Sequence, residues 1–439
     1  MPRNIVLLSI DALRIDHLSC YGYGANTTPY IDTLAEGGVR FTNAFSASSH
    51  TREAVPALLT GEYPDVAIDK DFTLNADTLA TYLSATHSTG AFHSNPYVSR
   101  AYEFHRDFDK FDDDMRFGWS RLLTLGQRAL NKFILNRGRY HARADEINKR
   151  SLDWLDSLGD EPFFLWNHYM DVHGPYNPPE DYTGHINHHI SDSEAQDLYN
   201  RCVDNPNSLT GDERQIIMDL YDGEIRYTDA MIGKLLSALQ TRELLEDTLV
   251  ILTADHGELL GENGRFAHPR ILSNELIHIP LILYGPGITS QVDNRSVSAL
   301  DIVPTVLNTV GRDTDDLPGE ELLSETAPTD SERIVFSSAL GEGDDAGLRR
   351  FTGWMQDWKY SIARDVKGGS ITEESIVSPE NQTYSSPESL DGSKKEAAQR
   401  IQSVLLEHSA ARIAADDRNE DGDETNPVVE NRLEALGYK

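Results

Sequence analysis

Three short apolar runs end in ionisable side chains, and this pattern limits the folds open to the chain. "NIVLLSI" (Asn4–Ile10) runs into Asp11, "EPFFLWNHYMDVHGPY" carries Asp171 and His173 near its end, and "DTLVILTADHGE" delivers Asp255 and His256. A continuous apolar run of about 4–8 residues fits a strand buried on both faces, as in a parallel sheet covered by helices. Helical patterns separate these runs. "TTPYIDTLAEGG" has Thr-Thr-Pro at its start and Gly-Gly at its end, and "ERQIIMDLYDGEIRYTDAMIGKLLSALQ" is a long amphipathic stretch. Strands alternating with helices predict an α/β sandwich with a largely parallel sheet. Ligands in such folds bind at the carboxyl ends of strands, so three polar strand ends point to a site.

The remaining chain divides by texture. "VRFTNAFS" and "IPLILYGPG" read as further strands, "ADTLATYLSATH" with "TGAFHSN" as a helix–strand pair, and "SALDIVPTVLNTVG" as a helix. Around residues 111–160, "GWSRLLTLGQRALNKFIL" and "ADEINKRSLDWLDSL" read as amphipathic helices of an insertion covering one face. After residue 327 "RIVFSSAL" and "FTGWMQDWKYSIARD" predict strands of a smaller α+β subdomain, and Lys394–Ala415 a helix. "ADDRNEDGDETNP" is an acidic spacer before the closing "VVENRLEALGYK". The expected organisation is a catalytic domain over 1–327, a small subdomain over 328–414 and a linker with closing segment over 415–439. A length of 439 residues suffices for one large core plus an appendage.

Charge narrows the partners. Asp and Glu outnumber Lys and Arg by 72 to 39, a net charge of −33 spread along the chain, and arginine supplies most of the positive charge. Such a surface repels nucleic acid and anionic membranes. It also repels itself unless counterions are concentrated, which predicts a salt-adapted (halophilic) protein. Two cysteines, Cys20 and Cys202, encode no disulfide framework. The opening apolar run is too short for a signal core or a membrane span, so the expected setting is the cytoplasm.

The stretch "SSHTREAVPALLTGEYP" (Ser48–Pro64) sets several hydroxyls ahead of a helical run. Thr51 there is either a helix N-cap or a nucleophile. A helix N-terminus favours anionic oxygens, and a hydroxyl beside a divalent cation ionises more readily. Asp11, Asp255 and His256 are oxygen and nitrogen donors able to hold such a cation if they converge with Thr51.

Taken together, "NIVLLSIDALRIDHLSCYGY", "TTPYIDTLAEGGVRFTNAFS", "TREAVPALLTG", "LTADHGE" and "HIPLILYGPG" resemble successive blocks of the sulfatase family, within the alkaline phosphatase superfamily. "DIVPTVL" and "RLEALGYK" fit the same family. The resemblance implies an alkaline-phosphatase-like α/β/α sandwich and a metal-dependent hydrolase acting on small-molecule or glycan sulfate, phosphate or phosphonate esters through a covalent intermediate. A transferase of the same superfamily, a two-metal phosphomutase-like enzyme and a non-catalytic binder of anionic glycans are the alternatives. The family motif before "LLTG" is Cys/Ser-x-Pro-x-Arg, whose first residue becomes formylglycine. Here Thr51 holds that position, with Glu53 and Val55 in place of Pro and Arg, so no formylglycine is expected. The family's paired first-strand aspartates are reduced to Asp11-Ala12. The implied shell is one divalent metal on Asp11, Thr51, Asp255 and His256, with Mn²⁺ or Zn²⁺ favoured and Ca²⁺ or Mg²⁺ open. His173 and His268 match substrate-binding positions and are candidates to assist the leaving group. Asn95, in "FHSNPY", is a further candidate for substrate contact.

Overall fold

β1 (Asn4–Ile10), β5 (Phe163–Tyr169) and β6 (Thr248–Ala254) are buried at every position, as unbroken apolar runs require. The computed structural model describes residues 2–114, 141–183, 190–314, 316–324, 333–356, 358–378 and 382–415. With β2 (Val39–Phe45), β3 (Ser88–Phe92), β4 (Lys110–Asp112), β9 (His278–Tyr284) and β10 (Gln291–Ser298), these three strands form one eight-stranded sheet. Its order is β10-β2-β9-β6-β1-β5-β3-β4. β1 is central, parallel to β5 and to β6. β9 runs antiparallel to both β2 and β6, the single reversal in the sheet. β7 (Leu259–Leu260) and β8 (Phe266–Ala267) form a separate short hairpin after β6.

Helices complete an α/β/α sandwich. α1 (Pro29–Gly37) and the helix Ala144–Leu158 both pack on the long helix Gly211–Thr241, whose start is fixed by a Thr210/Glu213 capping box. α2 (Thr51–Thr60) packs with the helix Ile302–Thr309. The helix expected across "ADTLATYLSATH" is shorter, Leu79–Leu83, and closes in a Leu83–His87 turn before β3. Of the stretch read as an insertion, Lys110–Asp112 pairs with β3 and Ala144–Leu158 lies on β3 and β5. Both ends are thus built into the main sheet. The helix expected over "GWSRLLTLGQRALNKFIL", the acidic spacer and the closing segment lie outside the described residues.

A second sheet orders β11 (Val335–Leu340), β12 (Leu348–Met355), β13 (Trp358–Asp365), β14 (Ile371–Val377) and β15 (Thr383–Tyr384) as an antiparallel meander. The helix Gly392–Ala415 covers it, and Phe351, Tyr360, Ile362, Ile401 and Leu405 fill the space between. This sheet grips the end of β2. Trp354 stacks on Phe45 at 4.2 Å, Ser338 N donates to Ala47 O (2.8 Å), and Ser337 Oγ donates to Ser46 O (2.6 Å).

Candidate active site

The carboxyl ends of β1, β5 and β6 meet at one buried spot. Asp11 follows β1 and is fully buried; its Oδ2 accepts from Asn95 Nδ2 at 2.7 Å. Asp255 follows β6, and its Oδ1 accepts from the backbone N–H of Ala12 (3.3 Å) and of His256 (2.9 Å). His256 Nδ1 lies 2.8 Å from Gly257 O. A carbonyl only accepts, so Nδ1 carries a proton. His256 Nε2 then faces Thr51 Oγ1 (3.1 Å), Asp255 Oδ2 (3.6 Å) and Asp11 Oδ1 (3.7 Å). Gly257 permits this exit from β6, since a Cβ there would lie 2.0 Å from Glu275 O.

Among the described residues, Asp11 Oδ1 and Asp255 Oδ2 have no hydrogen-bond partner and are buried. Burial, and then the neighbouring Asp11, push the Asp255 carboxyl up. Burial acts the same way on Asp11, but His173, His168 and His256 outweigh it and hold that carboxyl far below the usual range. Two bare carboxylate oxygens beside an imidazole nitrogen and a hydroxyl, all out of water, fit a divalent cation.

Thr51 is not the N-cap of α2. His50 takes that place, its Nδ1 accepting from Arg52 N at 3.2 Å, and Thr51, 2 % exposed, directs Oγ1 to His256. Glu53 N and Ala54 N bond to His50 O, so the anion-binding N–H groups expected at this helix end are partly spent on the cap. What remains is the helix dipole. The other hydroxyls brace the loop. Ser46 Oγ lies against the carbonyls of Ser48 and Asp255, and Ser48 Oγ donates to Glu53 Oε2 (3.0 Å). Glu53, where the family motif has Pro, is fully buried and accepts from Arg270 Nη1 at 2.9 Å.

His268 joins the cluster. Its ring centroid is 4.8 Å from those of His173 and His256 and 5.7 Å from His50. Burial lowers the His268 pKa, but Glu258, 3.2 Å from Nδ1, reverses the effect and raises it. His173 goes the other way, lowered by burial despite Asp11. The carbonyl of Gly174, 2.7 Å from its Nδ1, fixes a proton there.

Of the residues singled out from the sequence, Asp11, Thr51, Asp255, His256, His173 and His268 converge. Asn95 is turned to Asp11 and caps Tyr97 N with Oδ1 (2.9 Å), so its amide braces a carboxylate of the site. Asp171 accepts from Arg143 Nε and Ala144 N, where it starts the helix Ala144–Leu158. Sequence reasoning missed His168, His50 and the role of Glu258. Their only signals were an imidazole inside an apolar run, a residue beside Thr51, and an acid after Asp-His-Gly.

Comparison with known proteins identifies the family. The sulfatase family model matches residues 3–312. The uncharacterized sulfatase YidJ of Escherichia coli is 26 % identical over 74 % of this chain and 71 % of its own length. Iduronate 2-sulfatase of Mus musculus is 27 % identical over 66 % of this chain and 60 % of its own. Among solved structures, the phosphonate monoester hydrolase of Silicibacter pomeroyi superposes with a TM-score of 0.69 at 18 % identity, covering 95 % of this chain and 96 % of that one. The chain belongs to the sulfatase family of ester hydrolases.

Proposed function

We propose that the protein hydrolyses phosphate or phosphonate esters through Thr51, forming a phospho-threonine that water discharges. The observation that carries this reading is the buried 3.1 Å contact of Thr51 Oγ1 with His256 Nε2, beside two bare carboxylate oxygens. Asp11, Asp255 and His256, with Thr51, would hold one divalent cation, and their mixed oxygen and nitrogen donors favour Mn²⁺ or Zn²⁺. When bound, that cation supplies positive charge for the ester's equatorial oxygens and eases ionisation of the threonine.

The side chains divide the remaining work. Thr51, at the first position of α2, loses its hydroxyl proton to solvent and attacks phosphorus, the Oγ1–P bond forming as the P–O bond to the alcohol breaks. His268, whose pKa Glu258 raises, gives its proton to the leaving alkoxide. His173, kept neutral by burial, accepts a proton from the water that releases the phosphoryl group. Asn95 fixes Asp11 and acts as a positioning residue.

A second reading, sulfate-ester hydrolysis, is favoured by the family model and by the printed activities of relatives such as iduronate 2-sulfatase. Threonine argues against it. A formylglycine hydrate expels sulfate by elimination, whereas a sulfo-threonine must await external attack. The substrate class we propose is a small-molecule or glycan ester. The setting we propose is a salt-rich cytoplasm, on the strength of the −33 net charge. Among the described residues no helix is long and apolar enough to cross a membrane.

The test assays aryl sulfate, aryl phosphate monoester and diester, and aryl phosphonate in high salt, with Mn²⁺, Zn²⁺, Ca²⁺ or Mg²⁺ supplied in turn. Phosphoester or phosphonate turnover is expected to fall by at least about 10³-fold in Thr51→Ala, and intact-mass analysis of quenched wild type to reveal a phosphorylated species. Undiminished turnover in Thr51→Ala would sink the nucleophile assignment; sulfate turnover lost in that variant would favour the second reading.

A further inference from the structure

We propose that His168 is an additional ligand of the same cation, through Nε2, giving the centre a second imidazole donated by β5. This rests on the metal-dependent reading above. The register of β1 and β5 sets His168 opposite Ser9, two residues before Asp11. The ring is fully buried, and its Nδ1 lies 2.9 Å from Ser9 Oγ, which also accepts from Trp166 Nε1 at 2.9 Å. Ser9 Oγ has two lone pairs and can accept from both ring N–H groups, which leaves the Nε2 lone pair of His168 toward the site.

Three residues repeat one pattern, in which one atom is tied to the protein and the other is bare. Asp11 has Oδ2 on Asn95 and Oδ1 bare. Asp255 has Oδ1 on two backbone N–H groups and Oδ2 bare. His168 has Nδ1 on Ser9 and Nε2 bare. One ligand atom from each of the three falls within 4.8 Å of the others. Buried polar atoms without partners are costly and rare, and one on each of three residues that share a site points to a shared occupant. The competing explanation is a hydrogen bond from His168 to Asp11. At 3.5 Å from Nε2 to Oδ2, with Asn95 already on that oxygen at 2.7 Å, this bond is poorly made.

Ala12 gives the arrangement its chemical sense. It is fully buried directly after Asp11 and offers no ligand atom, so β1 contributes a single carboxylate. A neutral imidazole from the adjacent strand takes up the coordination without adding negative charge. Exchanging an oxygen donor for nitrogen moves preference from Ca²⁺ toward Mn²⁺ or Zn²⁺.

The experiment loads the full-length protein, uniformly ¹⁵N-labelled at histidine, with Mn²⁺ and counts directly coordinated imidazole nitrogens by electron spin-echo envelope modulation. Two are expected in wild type and one in His168→Ala. Chelator competition should show Mn²⁺ affinity falling at least about 10²-fold in His168→Ala, and His168→Asp should regain Ca²⁺ binding in preference to Mn²⁺. One coordinated imidazole in wild type overturns the assignment, with no variant needed to fold. Failure of wild type to take up any divalent metal would overturn the metal-dependent function itself, and this inference with it.

Discussion

Replacing Arg270 by Met should destabilise the protein by about 3–5 kcal/mol, the cost of taking one partner from a buried ion pair. Glu53 is fully buried and Arg270 is 8 % exposed, so little solvent screens their 2.9 Å contact. Glu53→Gln should cost somewhat less, because its amide oxygen still accepts from Ser48 and Arg270. The double variant should fall short of the summed single losses by about 2–3 kcal/mol, since the second substitution no longer strands a charge. Urea unfolding at fixed molar KCl measures each value as the shift in midpoint multiplied by the slope. Glu53 lies in the first turn of α2, two residues beyond Thr51, so turnover should drop in Arg270→Met and partly return in the double variant. A cost below about 1 kcal/mol for Arg270→Met, or simple additivity, would refute the claim that this pair seats α2.

Asn95→Ala removes a charge-assisted hydrogen bond from Asp11 and should weaken Mn²⁺ binding about 10–100-fold in chelator competition; unchanged affinity would contradict its positioning role. His408 is stacked on Phe336 at 4.0 Å, and burial with Arg412 and Arg349 nearby holds its pKa down to about 3. The unfolded chain therefore binds a proton that the folded chain refuses between about pH 6.5 and 3. Stability falls as pH drops through that window, by up to about 1.4 kcal/mol per pH unit. His408→Phe should lessen the loss of stability between pH 7 and pH 5, measured by urea unfolding, and an undiminished loss would count against it. The net charge of −33 predicts a melting temperature that climbs from dilute buffer to molar KCl, and a flat salt response would end the salt-adaptation reading.

β1, β5 and β6 could be read from the sequence because each is an unbroken apolar run, and burial on both faces leaves no other use for one. Asp11, Asp255 and His256 were readable for the same reason, being the first polar residues past such runs. The limits lie where tertiary pairing decides. His168 sits inside the apolar run itself, and only the alignment of β5 with β1 sets it beside Asp11. Thr51 and His50 compete for one cap, and the outcome turns on His256, 205 residues away in sequence. The reversal of β9 leaves no local mark either, because a short apolar run fills a buried sheet equally well in both directions. Asn95 had a turn-forming use that is real, through Tyr97 N, and a second use on Asp11 that no neighbouring residue announces.

The grip of the second sheet on the chain between Phe45 and Ala47 bears on how such a protein can be recombined. The strand carrying Ser337 and Ser338 lies almost 300 residues downstream of the loop it holds, yet that loop leads directly into Thr51. A chimera that exchanged everything after β10 for a foreign tail would keep each site residue named here and still lose the partners of the segment that leads to Thr51. The appendage and Thr51 therefore travel as one heritable unit, and a splice junction that separates them must bring matching donors along.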